Sequence, residues 1–234
     1  LVFSDSDIDA SVYVSLFGVF YNSVQSCEVR SRLYVQEEIY DEFMSKFVEK
    51  TKRLQLGNPF DKGTHVGAII DQTQLDTING YVQSAIKDGA EILAGGHKCS
   101  PKGFEKGFWF EPTIITNVNH DMNIVKDEIF GPVVVVMKFK DEKEAIKLAN
   151  DTTFGLGSAV WSKDGARATR VANQIKAGIV MVNCPFSAFP GTPFGGYKQS
   201  GFGRELCIET LDLYTETKSI LSYYGSRPLN PLGL

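Results

Sequence analysis

Cysteine is scarce in this chain and poorly spaced for its commonest structural uses. The four are Cys27, Cys99, Cys184 and Cys207 in 234 residues. No Cys-x-x-Cys pair occurs, so the spacing points to neither a zinc site nor a dense disulfide framework. No metal site is assigned, and a reducing, cytoplasmic setting fits best. Histidine is scarcer still. His65, His97 and His120 follow no metal-ligand spacing and read as solvated surface residues. A Lys/Arg cluster is also missing and the net charge is −4, which argues against a nucleic-acid surface. Long hydrophobic runs are missing too. Residues 12–20, interrupted by Ser15, and 133–137 are far too short to span a bilayer. Leu1-Val2-Phe3-Ser4-Asp5 lacks the basic n-region of a signal peptide. Neither nucleic acid nor a membrane is therefore expected as a partner.

What is present is a globular composition, with 43% apolar and 22% charged residues. The length suits one large domain or two small ones with a substantial core. Residues 1–3 read as the end of a strand. Ser4-Asp5-Ser6-Asp7 then offers N-cap side chains. Ile8, Val12, Leu16, Phe17 and Phe20 recur at helical spacing and predict a helix over 8–23. A strand is expected over 31–36 and a helix over 37–56, acidic at its start and basic at its end as the helix dipole prefers. Asp71-Gln72-Thr73-Gln74 is a capping box for a helix bearing Leu75, Ile78 and Val82.

A short strand is expected over 90–94. The strand over 108–115 contains Pro112 and is expected at a sheet edge. One helical turn at 122–126 precedes a buried-type strand over 133–139. A helix starting near 141, a strand over 157–162, a helix over 164–175 and a strand over 178–183 follow. A helix over 205–213 and a terminal strand over 219–224 close the chain. Strands alternating with helices predict an α/β fold with a doubly wound, mostly parallel sheet and helices on both faces. Ligands of such sheets bind at the carboxyl ends of the strands.

Three stretches carry candidate chemistry. Asn22-Ser23-Val24-Gln25-Ser26-Cys27 places one thiol between a helix and a strand. Amides around such a turn can activate a thiol and receive negative charge on a bound oxygen. The plainer reading is a small buried hydrophobe. Glu128-Ile129-Phe130-Gly131-Pro132 sets a carboxylate, able to accept two bonds from vicinal hydroxyls, beside an aromatic platform. On its own the plainer reading is a surface glutamate before a turn. The run from Pro193 to Glu205 is rich in glycine. It is neither a GxGxxG after a strand nor a P-loop, and it reads either as backbone brought close to a ligand or as a compact loop packed by aromatics. A histidine acting as base to Cys27, as in cysteine hydrolases, is a further reading.

N-S-V-Q-S-C at 22–27, E-I-F-G-P at 128–132 and P-F-G-G-Y-K-Q-S-G-F-G-R-E at 193–205, in this order and at these separations, resemble the aldehyde dehydrogenase superfamily. The resemblance extends to G-N-P-F at 57–60, G-F-W-F-E-P-T at 107–113, N-D-T-T-F-G-L at 150–156 and G-I-V-M-V-N at 178–183, so it covers nearly the whole chain. It implies a catalytic domain over 1–212 and an oligomerisation strand and tail over 213–234. The activity implied is NAD(P)-dependent oxidation of an aldehyde to a carboxylic acid by a homo-oligomer. By the same resemblance Cys27 is the nucleophile, with its own amide in the oxyanion hole. Glu128 holds the nicotinamide ribose and Phe130 lies against the nicotinamide. Phe194 lines the mouth where substrate and nicotinamide meet, and the loop about 186–190 shapes the aldehyde tunnel.

The departures from the family pattern are specific. Val24 stands where the family usually has glycine, and Glu28, Val29 and Arg30 stand where small residues usually follow the cysteine. Glu28 would raise the thiol pKa and Arg30 would lower it. The family's dinucleotide-binding domain, its oxyanion-hole asparagine and its general-base glutamate belong upstream of Leu1. The chain therefore reads as starting in the middle of a longer sequence, without an N-terminal dinucleotide-binding domain. Alone it is expected neither to hold NAD(P) nor to turn over appreciably. The alternative is a non-catalytic module of the same fold, kept for structure or self-association.

Overall fold

The sheet is built outward from its most apolar strand. The computed structural model describes residues 1–186, 189–226 and 230–233. Strand β4 (Val133–Phe139) reads Val-Val-Val-Val-Met-Lys-Phe, and only Lys138 is exposed. Such a continuous apolar run suits a strand covered on both faces. β1 (Arg32–Gln36) and β3 (Thr113–Thr116) flank it in parallel, and β2 (Glu91–Ala94) adds antiparallel beyond β3. β5 (Gly157–Val160) and β6 (Ile179–Val182) form a separate parallel pair. Residues 1–3 stitch the two sheets together. Val2 N donates to Tyr34 O at 2.9 Å and Phe3 N to Trp161 O at 3.0 Å. The hydrogen-bonded row therefore runs β2-β3-β4-β1, then residues 1–3, then β5-β6.

Helices cover both faces because successive β4 side chains point opposite ways. On one side Val134 and Val136 pack with Phe43 and Phe47 under α1 (Ile8–Phe20) and α2 (Tyr40–Thr51). On the other, Val133 and Val135 pack with Ile78 and Val82 under α3 (Gln72–Lys87), α4 (Asn123–Lys126), α5 (Glu142–Asn150) and α6 (Gly165–Gln174). Each fully buried valine or phenylalanine contributes about 1.5–3 kcal/mol. Asp7, Asp71, Asp141 and Asp164 cap α1, α3, α5 and α6 through side-chain oxygens that accept first-turn amides. A short helix, α7 (Thr210–Tyr214), follows the glycine-rich loop.

Four expectations change. β3 is an interior strand. It starts at Thr113, whose amide donates to Pro132 O at 2.8 Å, so Pro112 sits outside the ladder and its missing N–H costs nothing. α1 stops at Phe20, and 21–24 tighten into a 3-10 turn. The C-terminal helix starts only at Thr210. Residues 219–224 join no sheet, and Ile220, Leu221 and Tyr224 are 79%, 97% and 94% exposed. A strand needs a neighbour for its amides and carbonyls, and none of the described residues supplies one here.

Candidate active site

The turn that presents Cys27 is held from both sides against its own backbone preference. Asn22, Ser23 and Val24 all adopt left-handed conformations, at φ 50°, 57° and 60°. Such a conformation is uncommon for a non-glycine residue and costly for a β-branched one. A strap of chain offsets the cost. Ser23 Oγ donates to Gly67 O at 3.0 Å and Gln25 Nε2 to Ala68 O at 3.1 Å, while Gln25 Oε1 accepts from Ile70 N at 2.9 Å. Val24, only 1% exposed, is driven into the core. After the cysteine, Arg30 N donates to Gly18 O at 3.2 Å, docking the far end of the turn on α1.

Cys27 itself is exposed, which sets aside the buried-hydrophobe reading. Its Sγ donates to Glu28 Oε2 at 3.8 Å, and Ser26 Oγ donates to the same oxygen. Partial burial, then the negative charges of Glu28 and, more weakly, Glu128, push the thiol above its ordinary pKa. Of the two opposed neighbours, Glu28 prevails and Arg30 does not.

Cys27 and Glu128 line one cavity of about 150 Å³, together with Arg30, Arg32, Lys176 and Ser200. Glu128 ends the segment after α4. Ile129 is buried, and Gln74 Nε2 donates to the carbonyls of Ile129 at 2.8 Å and Phe130 at 3.1 Å. Gly131 lies against Ile78 with no room for a Cβ. The anchoring leaves Glu128 and Phe130 exposed, with no hydrogen bond or ion pair on the Glu128 carboxylate among the described residues. A free carboxylate beside an outward ring fits what a ribose and a planar heterocycle require.

Phe194 is placed differently. It pairs with Glu205 through Phe194 N to Glu205 O at 3.0 Å and Glu205 N to Phe194 O at 2.7 Å, with its ring edge-on to Phe186 at 6.2 Å. It does not line the Cys27 cavity, and of its loop Ser200 does. Ser187 and Ala188, within the tunnel loop about 186–190, lie outside the described residues. The site thus gathers three loops as expected, but not at the carboxyl ends of the strands. Cys27 and Glu128 precede β1 and β4, and Glu28 packs on Gly157 at the start of β5. The cavity opens at the amino ends. The 150–156 loop also contributes, through Thr152, Phe154 and Gly155. Its motif is visible in the sequence, but nothing there names it as cavity wall.

No histidine lines the cavity. His65 accepts from Gln55 N at 3.0 Å and His97 faces Glu111 at 3.4 Å. His120 is not a solvated residue. It sits between Tyr34 Oη at 3.2 Å and Asp151 at 3.0 Å, its side chain 19% exposed. The Cys/His hydrolase reading has no geometry behind it. Among the described residues no cluster of three or more potential metal ligands occurs, and no helix is long and apolar enough to cross a membrane.

Residues 1–220 match the model of the aldehyde dehydrogenase family. The chain belongs to that family. An aldehyde dehydrogenase of Agaricus bisporus is 44% identical over 220 residues, covering 94% of this chain and 43% of the relative. The betaine aldehyde dehydrogenase of Bacillus subtilis (strain 168) is 42% identical over 228 residues, covering 97% and 46%. Among solved structures, the betaine aldehyde dehydrogenase of Staphylococcus aureus in complex with NAD+ superposes with a TM-score of 0.89 at 41% identity, covering 97% of this chain and 46% of that one. The chain spans less than half the length of the curated relatives it matches.

Proposed function

We propose that this chain is the catalytic portion of an NAD(P)-dependent aldehyde dehydrogenase, with Cys27 as nucleophile. The observation that carries the reading is the meeting of Cys27 and Glu128 in one cavity, from loops a hundred residues apart. The Cys27 thiolate adds to the aldehyde carbonyl to give a thiohemiacetal, and loss of hydride leaves a thioester that water hydrolyses to the acid. When bound, the nicotinamide supplies the hydride acceptor. Glu128 would accept hydrogen bonds from the nicotinamide ribose and Phe130 would lie against the ring. Phe194 would sit at the mouth, approached by substrate rather than lining the thiol cavity. Residues 1–212 would form the catalytic domain, and the exposed apolar segment beyond Leu213 would pair with a second copy in a homo-oligomer. Four free thiols favour a reducing compartment such as the cytoplasm.

These 234 residues span less than half the length of the relatives they match, so little turnover is expected of them alone. Iodoacetamide labelling at neutral pH, read by peptide mass spectrometry, tests the nucleophile. Cys27 should react well ahead of Cys99, which burial and Glu111 push up to about 11. If Cys27 reacts no faster than Cys99, the reading fails. Robust aldehyde-dependent NADH formation, lost in Cys27→Ser, would overturn the expected inactivity. The carboxylate bonded to the thiol favours the second reading, a module that keeps the fold without the chemistry.

A further inference from the structure

We propose that Glu28 is the positioning residue for Cys27. Its carboxylate takes the hydrogen bond of the thiol, holds the sulfur protonated at rest, and does so because the turn sends the cation of Arg30 elsewhere. The assignment rests on the reading of Cys27 as the reactive thiol and adds the group that governs it.

Charge counting alone leaves the matter undecided. Arg30, Arg32 and Lys176 share the cavity with Asp127 and Glu128, and Glu28 adjoins it, giving three charges of each sign. Geometry breaks the tie. Glu28 Oε2 accepts from Cys27 Sγ at 3.8 Å and also from Ser26 Oγ, and two donors on one oxygen orient the carboxylate. A carboxylate that accepts an S–H bond favours thiol over thiolate, and the thiolate is the nucleophile.

Arg30 turns the other way. Its guanidinium occupies the space where a Cβ on Gly18 would stand, beneath α1. Its Nη1 is buried with no hydrogen-bond partner. Burial lowers its pKa, and the charges of Glu28 and Cys184 work against that. Arg32 is committed as well, donating from Nη1 to Val125 O at 3.2 Å. The groups that α1 sends to the cavity, Val14, Ser15 and Val19, carry no charge. Glu128, from the segment before β4, adds a second negative charge toward the thiol. The charged side chain bonded to the sulfur is thus an anion, in a family position usually filled by a small residue.

The test is the pH profile of Cys27 alkylation in the full chain. Rates are followed by peptide mass spectrometry from about pH 6 to about pH 10.5, with Cys99 and Cys207 as internal references. Glu28→Gln keeps an acceptor and removes the charge. It should move the Cys27 midpoint down by about 1 unit and raise the rate near neutral pH by roughly 5–10-fold, with Cys99 unchanged. Arg30→Met, which removes a cavity cation that makes no bond to the sulfur, should move the midpoint up by less than about half a unit. A Cys27 midpoint that stays within about 0.2 units in Glu28→Gln overturns the proposal. Should Glu28→Gln loosen the fold, seen as faster Cys99 labelling, Glu28→Ser must show the same downward shift or the proposal falls. Wild-type Cys27 reacting no faster than Cys99 would instead reject the nucleophile reading, and the Glu28→Gln shift would still decide this one.

Discussion

Two loops carry most of the family signature, and they are built by opposite means. The turn over 22–30 forces three L-residues into left-handed backbone and holds them with side-chain bonds to residues 67–70. The loop over 193–205 keeps its glycines and packs by close backbone approach. Gly178 stands directly against the carbonyl of Gly195, and Tyr197 N donates to Gly155 O at 2.8 Å. The first loop stores strain to present a thiol. The second is also tied by side chains, with Lys198 Nζ donating to Asn150 O and Thr152 O and Ser200 Oγ accepting from Gly155 N, but it has no slack where Gly178 meets Gly195, because that contact is between backbones. Substitutions should therefore be tolerated unequally.

The largest effect is expected where backbone meets backbone. Gly178→Ala places a Cβ on the carbonyl of Gly195 and should cost about 3 kcal/mol or more in urea unfolding. A loss below about 1 kcal/mol would show that the glycine loop has room to shift and would erase the contrast.

A smaller effect, with a change of sign, is expected at Gly18. Alanine there should destabilise the wild type by about 1–3 kcal/mol, because Arg30 must move. In an Arg30→Ala background the same change should stabilise by up to about 1 kcal/mol, since alanine is the better helix former. Equal effects in both backgrounds would separate Gly18 from Arg30.

The smallest effect is expected at Val24. Deleting a fully buried valine side chain costs about 1.5–3 kcal/mol, but a left-handed β-branched residue gives back roughly 1–3 kcal/mol of strain. Val24→Gly should therefore unfold within about 1 kcal/mol of the wild type, whereas Val134→Gly, with ordinary strand backbone, should lose about 3 kcal/mol or more. Matching losses at the two sites would mean that the Cys27 turn is not strained.

The elements that were legible in the sequence were those whose signal is local. The Asp71 cap, the continuous apolar run of β4 and the helical stripe that starts α1 were read at nearly their observed positions, while the helix expected over 37–56 closes at Tyr40–Thr51. Pro112 misled because proline reports only that its own amide is missing, not which residue begins the ladder. The 219–224 segment misled because apolar alternation describes a strand without naming its partner. Of the candidate residues named from their motifs, Cys27 and Glu128 line one cavity, while Phe130 and Phe194 do not, and Phe194 pairs with Glu205. The wall supplied by Thr152, Phe154 and Gly155 came from a recognised motif whose position in space no spacing rule conveys.

The sequence by itself determined the α/β class and the family, and singled out Cys27 as the candidate thiol. These rest on patterns a few residues long and on motifs kept in order. The tertiary structure decided which end of the sheet holds the cavity and which of two nearby charged side chains bonds the Cys27 sulfur. Glu28 and Arg30 are two residues apart in the chain. A turn docked on Gly18 sends one to the sulfur and the other under a helix, and electrostatics follows distance and burial rather than order in the chain.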